Sequence, residues 1–368
     1  MNGEDIKVSV VIPIYNAYDY LRPALDSVID QTLREIEIIC IDDGSTDHTL
    51  ELLKEYQKSD SRVRIVTENN AGQSTARNKG LQRARGEYTI FLDADDFFEP
   101  ELLSELYNLA TERSLDIAIA QYDVYNDKEA RFERSVDGEF SSVFESGEIV
   151  SKSKYPDYIF QSTTGYVWNK LFKTSFLKDK EIFFEPELYV FEDVNFVLTA
   201  LSMAERISRL DRVLIHHRIY SSQSRPKLFR KYYHQVPAVY VKAKQYLTQH
   251  GMYIPLARSF LNMSASRCYK IYNLLWSDAK SDFFDLLHNG YADSLGWYAH
   301  GKEAFDSEDV FEFVASVGLY TYAQYEKLQS KERRRKLSGM TSESYNKKLR
   351  TAKARERFFN IFKRKKKD

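Results

Sequence analysis

A short apolar run, Tyr88-Thr89-Ile90-Phe91-Leu92, stops abruptly at Asp93-Ala94-Asp95-Asp96. The run reads as a buried strand, and it ends in three carboxylates. Clustered acids at a strand end repel one another unless a cation sits among them. Carboxylate oxygens on a short turn suit a hard divalent ion such as Mg²⁺ or Mn²⁺, and such an ion suits a diphosphate. The plain alternative is a solvated acidic turn that also caps the helix after Pro100.

The chain around this stretch repeats one pattern. Residues 8–16 (VSVVIPIYN) form a β-branched run closed by Pro and Asn, and Leu21, Leu25, Val28 and Ile29 then recur at helical spacing. Residues 36–41 make a second strand that ends in Asp42-Asp43-Gly44-Ser45-Thr46-Asp47, before a helix carrying Leu50, Leu53 and Tyr56. Residues 63–66 make a third, followed by Asn70-Ala71-Gly72-Gln73-Ser74-Thr75-Ala76-Arg77-Asn78-Lys79-Gly80. A helix over about residues 99–113 and a strand over 115–120 come after the carboxylates. This alternation predicts a parallel α/β sheet, with the polar motifs at the strand ends where such sheets bind ligands. No Gly-x-Gly-x-x-Gly follows the first strand and no Gly-Lys-Ser/Thr loop occurs, which removes dinucleotide-type Rossmann and P-loop sites.

At 368 residues, with 26 Tyr and 23 Phe, the chain can bury a full core and hold more than one domain. Cys40 and Cys268 lie far apart, have no metal spacing and fit a reducing compartment. The N-terminus is acidic and unlike a signal peptide, and no apolar run approaches a membrane span. The net charge of −1 hides an asymmetry: residues 331–368 carry 16 Lys or Arg against 4 Asp or Glu. A basic tail on an acidic body calls for an anionic partner.

Four motifs in order, namely the Val-Ile-Pro-Ile-Tyr-Asn strand, Asp-Asp-Gly-Ser, the Asn70–Gly80 segment and Asp93-Ala94-Asp95-Asp96, resemble the inverting nucleotide-sugar glycosyltransferases of family 2. The likeness covers roughly the first 220 residues. It implies a GT-A fold and a donor held in parts. Pro13 and Tyr15 would floor the base, Asp42 would accept from the base N–H, and Asp43 would hold its turn or meet the ribose. Arg77 would neutralise phosphate or meet the base carbonyl, unless it is only a helix residue. Asp93 and Asp95 are implied for ribose and metal, with Asp96 as third carboxylate.

Further along, Trp168-Asn169-Lys170-Leu171 resembles the family's Asn-Lys-Leu segment. Trp168 is either an apolar face for an acceptor sugar or a core Trp; Lys170 meets phosphate or pairs with a carboxylate. Glu192-Asp193 matches the family's Glu-Asp pair, so Asp193 is implied as the catalytic base and Glu192 as its neighbour or an acceptor ligand. Apolar Phe191 and Phe196 would raise the pKa of such a base, although acids at a helix N-terminus are also favourable for the helix alone. His217 either completes the metal site or replaces a core Tyr. Arg218, with Ser221 and Ser222, would close over the diphosphate.

The expected organisation is therefore a GT-A catalytic domain over 1–225, a helical domain over 226–330 and a basic amphipathic tail over 331–368. Within the first, residues 1–120 would bind the nucleotide sugar and 121–225 would lie on the acceptor side. The aromatics of the helical domain would pack on the catalytic domain or between two copies. Phe358, Phe359, Ile361 and Phe362 amid Lys and Arg suit an anionic membrane surface. The expected activity is metal-dependent transfer, using Mn²⁺ or Mg²⁺, from a UDP-sugar to a saccharide acceptor. A lipid-linked acceptor at the cytoplasmic face of the membrane, in bacterial surface-polysaccharide synthesis, is the leading class. The alternatives are a protein acceptor, a noncatalytic nucleotide-sugar-binding module, and a tail bound to nucleic acid; the acidic body and missing recognition module weigh against the last.

Overall fold

The computed structural model describes residues 5–133, 144–219 and 229–328, with Arg335, Ser344, Lys347 and Lys348 beyond them. Ser221, Ser222 and almost all of the basic segment lie outside the described residues. The chain divides into two compact units, Met1–Tyr232 and Tyr233–Asp368.

In the first unit, β1 (Val8–Ile14) is buried along its whole length, as its unbroken apolar run requires. It pairs in parallel with β2 (Ile36–Asp42) and β4 (Tyr88–Phe91), and β3 (Val63–Thr67) lies outside β2. Helices α1 (Tyr18–Ile29), α2 (Thr49–Ser59) and α3 (Gln73–Arg83) make the crossovers. Leu21, Leu25 and Val28 of α1, and Leu52 and Leu53 of α2, reach the same core as Val10, Ile12 and Ile38. Each such side chain contributes about 1.5–3 kcal/mol when fully buried. Gly86 lets β4 start close against β1: a Cβ there would lie 2.5 Å from the Ser9 backbone nitrogen.

Beyond β4 the sheet departs from the expected all-parallel form. The order is β3-β2-β1-β4-β8-β6-β9-β5. β8 (Lys170–Lys173) runs antiparallel between β4 and β6 (Ile117–Asn126), with Leu171 opposite both Ile90 and Ala118. β9 (Ile207–Ile219) is parallel to β6, while β5 (Phe97–Phe98) is antiparallel to β9 and β7 (Arg131–Glu133) to β6. Residues 115–120 read as the next parallel strand because an apolar run is the same whichever neighbour it takes. Which strand fills the place beside β4 is decided by long-range hydrogen bonding.

The short helix α5 (Thr174–Asp179) follows β8, and helix α6 (Glu192–Met203) is buried on nearly every side from Val194 to Ser202. Phe196 stacks on Phe184 at 4.0 Å and meets Phe91 of β4 and Phe172 of β8 edge-on, which fixes the helix beneath the sheet. Helix α4 (Leu102–Glu112) packs Leu102, Leu103 and Leu106 on the opposite face.

The second unit is helical, with main helices Val236–Gln249, Ala257–Leu274, Ser277–Leu286 and Glu308–Leu319. They surround Phe260, Cys268, Phe283, Trp297, Phe313 and Val317, all buried; the Trp297 indole N–H donates to Ser264 Oγ at 2.9 Å. Among the described residues no helix is long and apolar enough to cross a membrane.

Candidate active site

The ends of β1, β2 and β4 meet at one edge of the sheet. Ile14 of β1 lies opposite Asp42 of β2, and the Asp43 N–H donates to the Ile14 carbonyl at 2.8 Å. Pro13 is buried, whereas Tyr15 is half exposed, so it offers a ring face beside this edge. Asp42 is buried with Oδ1 accepting from the Ser45 N–H, and its Oδ2 has no partner. A buried acceptor without a donor costs free energy until a ligand N–H supplies one.

Asp43 takes the first of its two expected roles. Its two oxygens accept from the Ala71 and Gly72 N–H groups, each at 2.8 Å, and so tie the β2 turn to the start of α3. Gly44 follows with φ of 77°, and a Cβ there would stand 3.0 Å from the Asn70 nitrogen; the turn and the loop close over each other only with glycine. Asp43→Ala is expected to lower stability by about 2–3 kcal/mol, the worth of charged hydrogen bonds, and to raise donor KM. Urea melts and donor titration measure both; an unchanged melt would remove the anchoring role.

At the end of β4, Asp93 Oδ1 accepts from Gln73 Nε2 at 3.0 Å and from Arg77 Nη2 at 2.7 Å. Asp95 is pushed up to about 7 by burial first, then by Asp96 and Asp93, against a smaller opposing pull from His217. Asp96 is fully buried; its Oδ1 accepts from His217 Nδ1 at 2.8 Å and from the Arg218 N–H at 2.9 Å, while Oδ2 has no partner. Burial raises its carboxyl as well.

Arg77 pairs with Asp93, but Asp95 and Asp96 face no Arg or Lys side chain among the described residues, so the donor chemistry of this turn fits a divalent cation. Among the described residues no three His, Cys, Asp or Glu side chains converge to hold a metal by themselves. The fit is therefore to an ion that takes one or two carboxylates and completes its shell from phosphate, as Mg²⁺ does.

His217 combines features of both its expected readings. It is buried and stacks on Trp168 at 5.4 Å, as a core aromatic would, and its ring is oriented by a carboxylate, as metal-binding imidazoles are. Trp168 is 1 % exposed and belongs to the core cluster, so it supports His217 and does not offer a face to an acceptor sugar. The apolar character that marked it for sugar stacking serves the sheet interior instead. Lys170 is fully buried and donates to the Thr164 and Tyr166 carbonyls and to Asn169 Oδ1, none of them a carboxylate. Burial pushes it down to about 7, with Asp193 opposing.

Asp193 lies in the first turn of α6. The helix begins after Phe191, a non-glycine residue with φ of 56°, a backbone strain of about 1–3 kcal/mol placed directly before the Glu-Asp pair. Asp193 Oδ1 accepts from the Val194 N–H at 2.8 Å. Burial, and then the Glu192 charge, push Asp193 up to about 7, while Arg77 opposes them. A carboxylate poised there can take a proton from a hydroxyl near neutral pH.

Arg77 is 2 % exposed, and its terminal nitrogens pair with Asp93 and Glu192. Both ends of its guanidinium fork thus face protein carboxylates. Three contacts were not apparent in the sequence: Gln73 on Asp93, His216 held between Asp123 and Glu99, and Asn78 bonded to both the N–H and carbonyl of Phe184. Each joins residues distant in the chain, and no local pattern marks them.

This is the GT-A glycosyltransferase fold. Residues 1–349 of S. aureus TarS, solved in complex with UDP-GlcNAc, align with a TM-score of 0.64 over 93% of this chain and 92% of that one, at 22% identity. The family model for glycosyl transferase family 2 matches residues 9–175, a span that ends before α6. EpsH of Bacillus subtilis, which bears a glycosyltransferase name, is 30% identical over 247 residues, 66% of this chain and 70% of EpsH. The chain belongs to glycosyl transferase family 2. The poly(ribitol-phosphate) beta-glucosyltransferase of Bacillus spizizenii is 34% identical over 210 residues, and the match spans 31% of that longer protein.

Proposed function

We propose that the chain transfers one sugar from a nucleoside-diphosphate sugar, of the UDP class, to a hydroxyl of a saccharide acceptor, with inversion at the anomeric carbon. The observation that carries this reading is the meeting of three parts in one unit: the unpartnered Asp42 Oδ2, the carboxylate turn Asp93–Asp96, and the Glu192-Asp193 pair, whose Glu192 is tied to that turn through Arg77. Asp42 accepts from the base N–H, with Tyr15 beside it and Pro13 and Asp43 shaping the pocket floor. A divalent ion, Mn²⁺ or Mg²⁺, held by Asp95 and Asp93 with His217 at hand, would supply charge neutralisation on the departing diphosphate. Asp193 removes the acceptor proton as the oxygen attacks, and Glu192 orients that acceptor.

Relatives support the substrate class: TarS was solved with UDP-GlcNAc, and the Bacillus spizizenii relative is named for glucosyl transfer to poly(ribitol phosphate). The basic segment 331–368, with its 16 Lys and Arg, supports work on a lipid-linked acceptor at an anionic membrane surface on the cytoplasmic side.

The test is a panel of nucleotide sugars with Mn²⁺, read by thermal shift and by nucleoside diphosphate release with and without saccharide acceptors. A UDP-sugar is expected to raise Tm most and to be consumed, with an inverted product by NMR. A product of retained configuration, or no donor bound, would sink the reading.

A further inference from the structure

The donor end and the base end of this site are joined by one buried cation. Arg77 Nη2 donates to Asp93 Oδ1 at 2.7 Å and Nη1 donates to Glu192 Oε1 at 2.9 Å, while its Nε is buried without a partner. The guanidinium carbon lies 5.1 Å from the centre of the Phe184 ring. Asn78, the next residue of α3, clamps the Phe184 backbone through two 2.8 Å hydrogen bonds. Phe184 in turn stacks on Phe196 of α6. The guanidinium is therefore fixed from α3 below, from the Phe184 segment beside it, and from a carboxylate at each end.

A buried guanidinium this constrained cannot swing out to a ligand without leaving two carboxylates unpaired. Its fork instead spans two acids from distant parts of the chain, one at the end of β4 and one at the start of α6. We infer that Arg77 is a positioning residue that couples the donor carboxylate Asp93 to the acceptor-side Glu192, and is not itself a donor ligand. The inference rests on the glycosyl-transfer reading above. When Asp93 turns toward a bound donor, the shared guanidinium carries that change to Glu192 and so to the start of α6. Donor occupancy then sets the geometry in which Glu192 and Asp193 receive the acceptor. Lysine preserves the charge at this position but has no fork to span two acids.

The experiment compares wild type with Arg77→Lys and Glu192→Gln, checking folding by circular dichroism and measuring UDP affinity, kcat and acceptor KM. In wild type, saturating donor is expected to lower the acceptor's apparent dissociation constant. In Arg77→Lys, UDP affinity is expected to stay within about 3-fold while that donor effect is lost and kcat/KM for the acceptor falls by about 100-fold. Because Arg77 acts through Glu192, the double variant should lose little more than the worse single one.

Parallel loss of UDP affinity and turnover in Arg77→Lys would make Arg77 a donor ligand and overturn the inference. So would additive losses in the double variant. If Arg77→Lys does not fold, Glu192→Gln decides: intact UDP binding with lost donor–acceptor coupling supports the tie, and unchanged coupling overturns it. A wild-type chain that neither binds nor consumes any nucleotide sugar would sink the functional reading, and this inference with it.

Discussion

Asp193→Asn is expected to lower kcat by about 10²–10⁴-fold while leaving donor affinity unchanged, because a general base contributes on that scale. Single-turnover kinetics with a UDP-sugar, alongside UDP titration, separate the two effects, and unchanged turnover would refute the assignment. The wild-type pH profile carries the same information. With Asp193 pushed up to about 7, the base is protonated below neutrality, and kcat/KM should fall tenfold per pH unit on that side.

Stability should move in the opposite direction to activity. The folded carboxyl is raised above the ordinary value near 3.9, so the folded state holds its proton more tightly than the unfolded chain does. Its contribution is fully favourable below about pH 4 and is lost as pH rises through about 7. Asparagine removes that liability. Asp193→Asn should therefore melt at a higher temperature than wild type at pH 8, with the gap closing toward pH 5, as expected where an active site is tuned at the fold's expense. A lower Tm at pH 8 would show that the burial of Asp193 is already compensated.

Asp95→Asn is the second large effect, a loss of about 10²–10³-fold in kcat, comparable to removing one group that stabilises developing charge. The Asp95 carboxyl stands near 7 because burial raises it first, and Asp96 and Asp93 then crowd it. A divalent cation would relieve that crowding, so Mn²⁺ with UDP should raise the wild-type Tm, more so above pH 7, and should leave Asp95→Asn unmoved. Excess EDTA should abolish turnover in wild type. Full activity in EDTA would remove the metal from the reaction.

The parts of the site that were legible in the sequence are those set by local chemistry. Asp42 and Asp93 each follow an apolar run, and an apolar run ending in acid places a carboxylate at a sheet edge wherever the strand pairs. Glu192 and Asp193 open a helix whose following residues are almost all apolar, so their place at a helix start was readable from one turn, whereas the base role rests on the family resemblance. Trp168 and Lys170 were ambiguous for the opposite reason. An aromatic ring and an ammonium each serve equally in a core or at a ligand, and only their burial separates the two uses.

The amino-acid order alone determined that strands and helices alternate, that acids stand at strand ends and that a second, helical region follows. These depend on periodicity and side-chain type within short windows. Tertiary structure decided that β8 turns the sheet antiparallel beside β4, that Asp96 grips His217, and that Arg77 spans from Asp93 to Glu192. Arg77 and Glu192 are 115 residues apart in the chain. Contacts of that kind are set by backbone pairing and by the cost of burying charge without a partner, and neither leaves a local mark on the sequence.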